Sequence, residues 1–343
     1  MRSQLINRVV IGAFIAGLGL FMVHTGASAA GTPAEFYRGK TLNWIVASSS
    51  GSPTDLITRT IAPFLAKEIG AKVKVEDRKT DEGINYLYNQ ATRDGLTLGS
   101  KVTGAIIGNE ITKAPGALYQ TDKFHFVADV YPSVKLFVIS TKLPYKTLEA
   151  LRQAKGLRAG GTSARGDLAL NSAVMLEVLG LDGKVITGFK GKKDLILALA
   201  RGEVDIAVTP DDTSVSDEKD GYLVNLFTVT DKRSVVLPKV PSLSEIGVKV
   251  PKELEAVHKF ISTGGIAVAL PPGVPPDRVE YLRKVLQDLN NNTELQKAMT
   301  KLTGAWRPFV PGAELQQEMA DILANKEMAT KLDAIFKKFS AVR

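Results

Sequence analysis

Cysteine is absent from the 343-residue chain. That excludes a disulfide framework, a thiolate-held metal and a lipid-bearing cysteine near the N-terminus. Histidine is scarce: of three in all, only His125 and His258 lie beyond the N-terminal segment, and neither has a recognisable catalytic context. A histidine triad or a histidine-built metal site therefore has little to draw on. No P-loop, no G-x-G-x-x-G turn and no G-x-S-x-G nucleophile elbow occurs; Gly161-Thr162-Ser163-Ala164-Arg165 ends in the wrong residue for the elbow. Internal repeats and low-complexity tracts are missing too. Positive charge is in excess, +8 overall, but pairs such as Lys192-Lys193, Lys232-Arg233 and Lys337-Lys338 are scattered rather than clustered. That argues against nucleic acid and suits a weak attraction for small anions.

What the chain does contain starts with an export signal. Arg2 and Arg8 precede the apolar run Val9 to Val23, and ASAA follows as a cleavage context. The run is too short and glycine-rich for a comfortable membrane span. Residues 1–29 are thus expected to be a cleaved signal peptide and the mature protein to be periplasmic. An uncleaved anchor is the competing reading.

From Thr41 onward strand-like and helix-like segments alternate. TLNWIVA, KVKVE, LTLGSK, HFVADV, KLFVIS, LRAGG, KVITGF, VDIAVTP and GGIAVAL carry β-type residues, with amphipathic segments between most of them. This pattern predicts an α/β fold of parallel sheets with crossover helices, in two runs either side of Tyr131. The later segments, from PPDRVEYLRKVLQDLNN onward, are helical and are expected to return to the first lobe. The expected partition is 30–132 for the first part of lobe one, 133–260 for lobe two, and 261–343 for the return strand and C-terminal helices.

Two strand-to-helix turns hold the candidate chemistry. In ASSSGSPTDLITRTIAPFLA, Ser52 fits the N-cap, Pro53 the first helical position and Asp55 the third. Ile57, Ile61, Leu65 and Ile69 form one stripe, Gly70 closes the helix, and Pro63 should kink it. Ser48, Ser49, Ser50 and Gly51 then sit where hydroxyls, backbone N–H groups and a helix dipole converge, which is anion-binding chemistry. A plain capped turn is the other reading of that stretch. The second turn, LRAGGTSARGDLALNSAVMLEVLG, repeats the arrangement with Thr162 and Ser163 and adds Arg165, a guanidinium able to fork onto a carboxylate. One such turn per lobe makes a two-lobed anion clamp. Charge-assisted hydrogen bonds contribute roughly 1.5–3 kcal/mol each, enough for about micromolar binding after ordering costs.

Segments along nearly the whole mature chain, in order, resemble the receptors of the tripartite tricarboxylate transporter family, the Bug-type solute receptors. Val46 to Thr60 resembles their glycine-rich loop ending in Thr-Asp. VEDRKTDEGINYLYNQATRDGLTLG, FKGKKDLILALARGEVDIAVTP, RSVVLPKVPSLSEIGV and GGIAVALPPGVPPDRVEYLRKVL are similar to later family blocks. The resemblance implies a two-lobed periplasmic binding protein of type II fold, monomeric, without cofactor or catalytic residue. It would close on a mono-, di- or tricarboxylate and dock on a membrane permease. It also implies the contacts: Ser48 to Ser52, Thr54, Asp55, Thr103 and Gly104 from lobe one, and Thr162, Ser163, Arg165, Phe189, Lys190, Gly191 and Asp211 from lobe two. Rotation is expected about strands near Tyr131 to Ser133 and near Lys259 to Gly264. Three departures stand out: Ser-Gly-Ser-Pro for three glycines, Lys79 to Glu82 for a proline-glycine turn, and Asp167-Leu168 for a histidine pair. A serine hydrolase, or an interaction module without a small ligand, would be the alternatives from other functional classes.

Overall fold

The computed structural model describes residues 31–162, 166–211, 214–262 and 264–340; the expected signal peptide lies outside them. Among these residues eleven strands form two sheets. The first has the order β11-β4-β10-β3-β1-β2, with β1 Thr41–Ala47, β2 Lys72–Arg78, β3 Thr97–Val102, β4 His125–Asp129, β10 Ile266–Leu270 and β11 Val310–Pro311. The second has the order β7-β6-β8-β5-β9, with β5 Lys135–Ser140, β6 Leu157–Gly160, β7 Gly183–Ile186, β8 Ile206–Pro210 and β9 Leu223–Thr228.

Both sheets are mixed, not parallel as expected from the alternation. β1 pairs in parallel with β2 and β3, but β10 runs antiparallel to β3 and β4. β6 is parallel to β7 and β8, while β5 runs antiparallel to β8 and β9. The cause is connectivity: β5 and β10 are the strands that arrive from the other lobe, so each enters its sheet against the local direction.

Helices α1 (Pro33–Tyr37), α2 (Pro53–Ile69), α3 (Thr80–Asn89) and α4 (Thr103–Ile111) belong to the first lobe. The second holds α5 (Leu148–Gln153), α6 (Asp167–Leu179), α7 (Lys192–Arg201), α8 (Ser214–Lys219) and α9 (Glu255–Ser262). In α2, Ser52 Oγ accepts from Asp55 N–H, Pro53 opens the helix and Gly70 closes it with φ 61°. Ile57, Ile61, Leu65 and Ile69 are all buried, each contributing roughly 1.5–3 kcal/mol. Pro63 lies on the exposed face and the helix runs through it, so the carbonyl it leaves unpaired can be hydrated.

Of the C-terminal helices α10 (Pro276–Asp288), α11 (Thr293–Thr303), α12 (Gly312–Ala324) and α13 (Met328–Phe339), the first three cover lobe one. The last does not return there. α13 packs on α6, α9 and β7 of the second lobe, and Ser340 bridges to Val185. α6 explains this: it is apolar on nearly every side, from Ala169 to Leu179, and needs a cover opposite the sheet. Leu332, Ile335, Phe336 and Phe339 supply it.

Between the lobes the chain crosses at Val130 to Val134 and again between α9 and β10. Asp129 ties these crossings together, accepting from the N–H groups of Tyr131 (3.0 Å) and Ile266 (2.9 Å). Its carboxyl is buried, which pushes its pKa up to about 7 against the pull of those two bonds. Gly265, at φ +144°, leaves room for it; a Cβ there would lie 1.9 Å from Asp129 Oδ2.

Candidate ligand site

Among the described residues six helices begin at the carboxyl ends of strands that have a parallel neighbour: α2 after β1, α3 after β2, α4 after β3, α6 after β6, α7 after β7 and α8 after β8. These are the edges where open α/β sheets bind ligands. Thr103 N–H donates to Gly265 O, and Asp211 N–H donates to Val134 O. The start of α4 and the end of β8, from different lobes, therefore meet the hinge strands.

The serine loop is partly self-satisfied. Ser49, Ser50 and Gly51 are exposed and Ser48 half-buried, but Gly51 N–H donates to Asp55 Oδ2 at 2.8 Å and Ser52 N–H to Ser49 O at 3.1 Å. Gly51 has φ +74°, which lets the loop turn back onto its own helix. Asp55 points inward and also holds Arg59 at 2.5 Å, which reaches Asp77. Burial raises the Asp55 carboxyl, but the Gly51 N–H and its side-chain partners outweigh it and keep it below its ordinary value. Asp55 and the buried Thr54 thus brace the loop, leaving Ser48, Ser49 and Ser50 to face outward.

Thr103 is fully buried and its Oγ1 has no hydrogen-bond partner among the described residues; Gly104 is buried beside it. A buried hydroxyl without a partner is costly unless something completes it. In lobe two, Thr162 O accepts from Gly188 N–H. Ser163 and Arg165 lie outside the described residues. Phe189 packs against the α7-side core, Lys190 is exposed and Gly191 caps α7 through its backbone alone.

Asp211 is among the lobe-two contacts that the resemblance implies. It is completely buried and bridges the lobes: Arg307 Nη2, from the segment after α11, lies 2.9 Å from its Oδ1, and Ser234 Oγ donates to Oδ2 at 2.5 Å. Arg307 Nη1 donates to Pro132 O at 3.2 Å and the guanidinium stands 4.8 Å from the Tyr131 ring. This interlobe pair was not visible in the sequence, where Arg307 is a lone arginine between Trp306 and Pro308.

Two further clusters share one design. In lobe one, Lys101 Nζ donates to Asp81 Oδ1 at 2.9 Å, and Asn109 Nδ2 donates to the same oxygen at 3.0 Å. In lobe two, Lys135 Nζ donates to Asp167 Oδ1 at 2.9 Å, joined by Asn171 Nδ2 at 3.0 Å. Both lysines are buried on strands adjoining the hinge. The sequence signal is slight: Lys101 follows Ser100 near the end of β3, and Lys135 opens the apolar β5.

A cavity of about 610 Å³ adjoins the hinge, lined by Asp129, Ser133 and Gly264 and by Glu318 and Asp321 of α12. None of the expected contact residues lines it. No cluster of three or more acidic or histidine side chains able to hold a metal occurs among the described residues. His258 Nε2 bonds Val229 O and His125 lies on β4 near Arg283, both away from the serine loop.

Two α/β lobes joined by crossing segments, with the start of α4 and the end of β8 bonded to the hinge from opposite lobes, define a two-lobed solute-binding protein. The profile of the tripartite tricarboxylate transporter family receptor matches residues 57–337. The chain belongs to that family. It is 24% identical over 286 residues to Protein BugT of Bordetella pertussis, covering 81% of this chain and 82% of BugT. In fold it is similar to a TctC solute binding protein from Polaromonas, with TM-score 0.69, 18% identity, 88% of this chain and 99% of the other covered. It is likewise similar to an R. palustris protein solved with adipate, with TM-score 0.68, 19% identity and coverage of 86% and 97%.

Proposed function

We propose that this receptor is periplasmic, that it closes its lobes on a small organic acid, and that it delivers the acid to the membrane permease of a tripartite tricarboxylate-type transporter. The observation that carries this reading is that the start of α4 from lobe one and the end of β8 from lobe two both bond the hinge, with the Thr103 hydroxyl buried there and unpartnered among the described residues. A carboxylate would complete it. The outward Ser48, Ser49 and Ser50, with Gly104, would offer donors from lobe one; Thr162, Ser163, Arg165, Lys190 and Gly191 would offer them from lobe two. Asp55 and Asp211 would serve as braces. The adipate found in a fold relative supports an acid as the ligand class.

Ligand-driven closure follows if the acid binds the closed form better than the open one. The test is thermal unfolding of mature protein, refolded to strip ligand, against mono-, di- and tricarboxylates, amino acids, sugars and phosphates. A concentration-dependent rise of several degrees with an acid supports the reading. A flat response across the panel would refute it and point to a protein partner.

A further inference from the structure

The two Lys–Asp–Asn clusters have a feature that ordinary structural ion pairs need not have. In each, the carboxylate lies on the solvent side of the ammonium. The Lys101 side chain is 2% exposed under an Asp81 that is 44% exposed, and Lys135 is 3% exposed under an Asp167 at 19%. The Asp side chains thus stand on the path by which a solute would reach the lysines. The remaining donor in each cluster is an asparagine amide, neutral and equally able to hold a foreign carboxylate.

Both clusters flank the same hinge. Thr103, two residues after Lys101, donates to Gly265 O; Ser133 N–H, two residues before Lys135, donates to Gly264 O. We propose that each cluster is a carboxylate socket, with lysine and asparagine as its donors, which the chain's own Asp81 and Asp167 occupy until an acid group of the ligand displaces them. The inference rests on the reading of the chain as an organic-acid receptor and extends it in two ways. It assigns Lys101, Asn109, Lys135 and Asn171 as ligand-binding residues, and it makes Asp81 and Asp167 internal competitors. Displacement keeps both buried ammoniums paired, which burial demands of them, and returns each aspartate to water. Burial draws the Lys101 ammonium below its ordinary pKa, so a partner anion is needed there whichever carboxylate supplies it.

The test is titration calorimetry on the mature protein with succinate, glutarate and adipate beside butyrate and hexanoate. Asp167→Asn removes the competing charge and keeps the shape, and should raise dicarboxylate affinity about tenfold; Asp81→Asn should act likewise. Lys135→Met should lower dicarboxylate affinity about tenfold or more, with monocarboxylates shifting less than about threefold. Equal weakening by Asp167→Asn and Lys135→Met would overturn the proposal, because the pair would then be a brace. So would unchanged affinities in both. If Lys135→Met fails to fold, the Lys135→Met/Asp167→Asn double variant leaves no stranded charge and should show none of the gain of Asp167→Asn; a gain retained there overturns the proposal. If no acid binds wild type or any folded variant, the organic-acid reading itself falls, and this proposal with it.

Discussion

Asp211→Ala is the sharpest single perturbation of the hinge. Asp211 and Arg307 are 0% and 4% exposed and belong to different lobes. Removing the carboxylate strands a guanidinium that keeps the Pro132 carbonyl as acceptor, and deprives Ser234 Oγ of its own acceptor. Breaking a buried pair from one side costs about 3–5 kcal/mol. For a chain of this size that corresponds to a fall in Tm of roughly 4–8 °C. Replacing both partners, Asp211→Ala with Arg307→Met, leaves no charge unpaired and should recover most of the loss. Urea denaturation of the four proteins completes the cycle. A loss below about 1 kcal/mol for the single variant, or a double variant whose loss equals the two single losses added together, would refute the pairing.

Other consequences are equally concrete. Burial pushes the Asp129 carboxyl up to about 7 in the folded protein, from about 4 for an ordinary aspartate. Between these values the folded state holds the extra proton, so its contribution is fully present below about pH 4 and is lost as pH rises to about 7, on the order of 4 kcal/mol. Asp129→Asn should flatten that slope; urea melts from pH 4.5 to 7.5 showing the same slope in both proteins would contradict the assignment. Gly265→Ala would drive a Cβ to 1.9 Å from Asp129 Oδ2 at a φ of +144°, and should sharply reduce the yield of folded protein. Thr103→Val removes a hydroxyl with no partner among the described residues, so stability of the empty receptor should hold while ligand affinity falls about three- to tenfold. A loss of stability without a loss of affinity would place the hydroxyl outside the site.

Much of the frame is legible in local sequence because local physics decides it. The cap at Ser52, the stripe from Ile57 to Ile69 and the Gly70 stop each depend on residues within a few positions of one another. Where the outcome depends on distant chain, local pattern fails. α4 contains TGAIIGNEI, whose two glycines disfavour a helix; it holds because Ile106 and Ile107 are buried and Tyr119 donates to Ile106 O. β9 is weakly marked in the sequence, with the polar Asn225 on its buried face between Leu223 and Phe227. The antiparallel strands and the docking of α13 on lobe two follow from how the chain crosses between lobes, which periodicity does not encode. The site divides in the same way. The helix-start loops are visible as strand–loop–helix patterns, whereas Arg307, Lys101 and Lys135 acquire meaning only from partners up to about a hundred residues away.

The central claim is that one acid is held by helix starts of both lobes at the hinge. The measurement that bears on it most directly is the crystallographic position of whichever acid raises the Tm. Its carboxylate should lie within hydrogen-bond distance of donors at the starts of α2 or α4 and, at the same time, of α6 or α7. An acid held by one lobe alone, or seated in the hinge cavity beside Glu318 and Asp321, would contradict it.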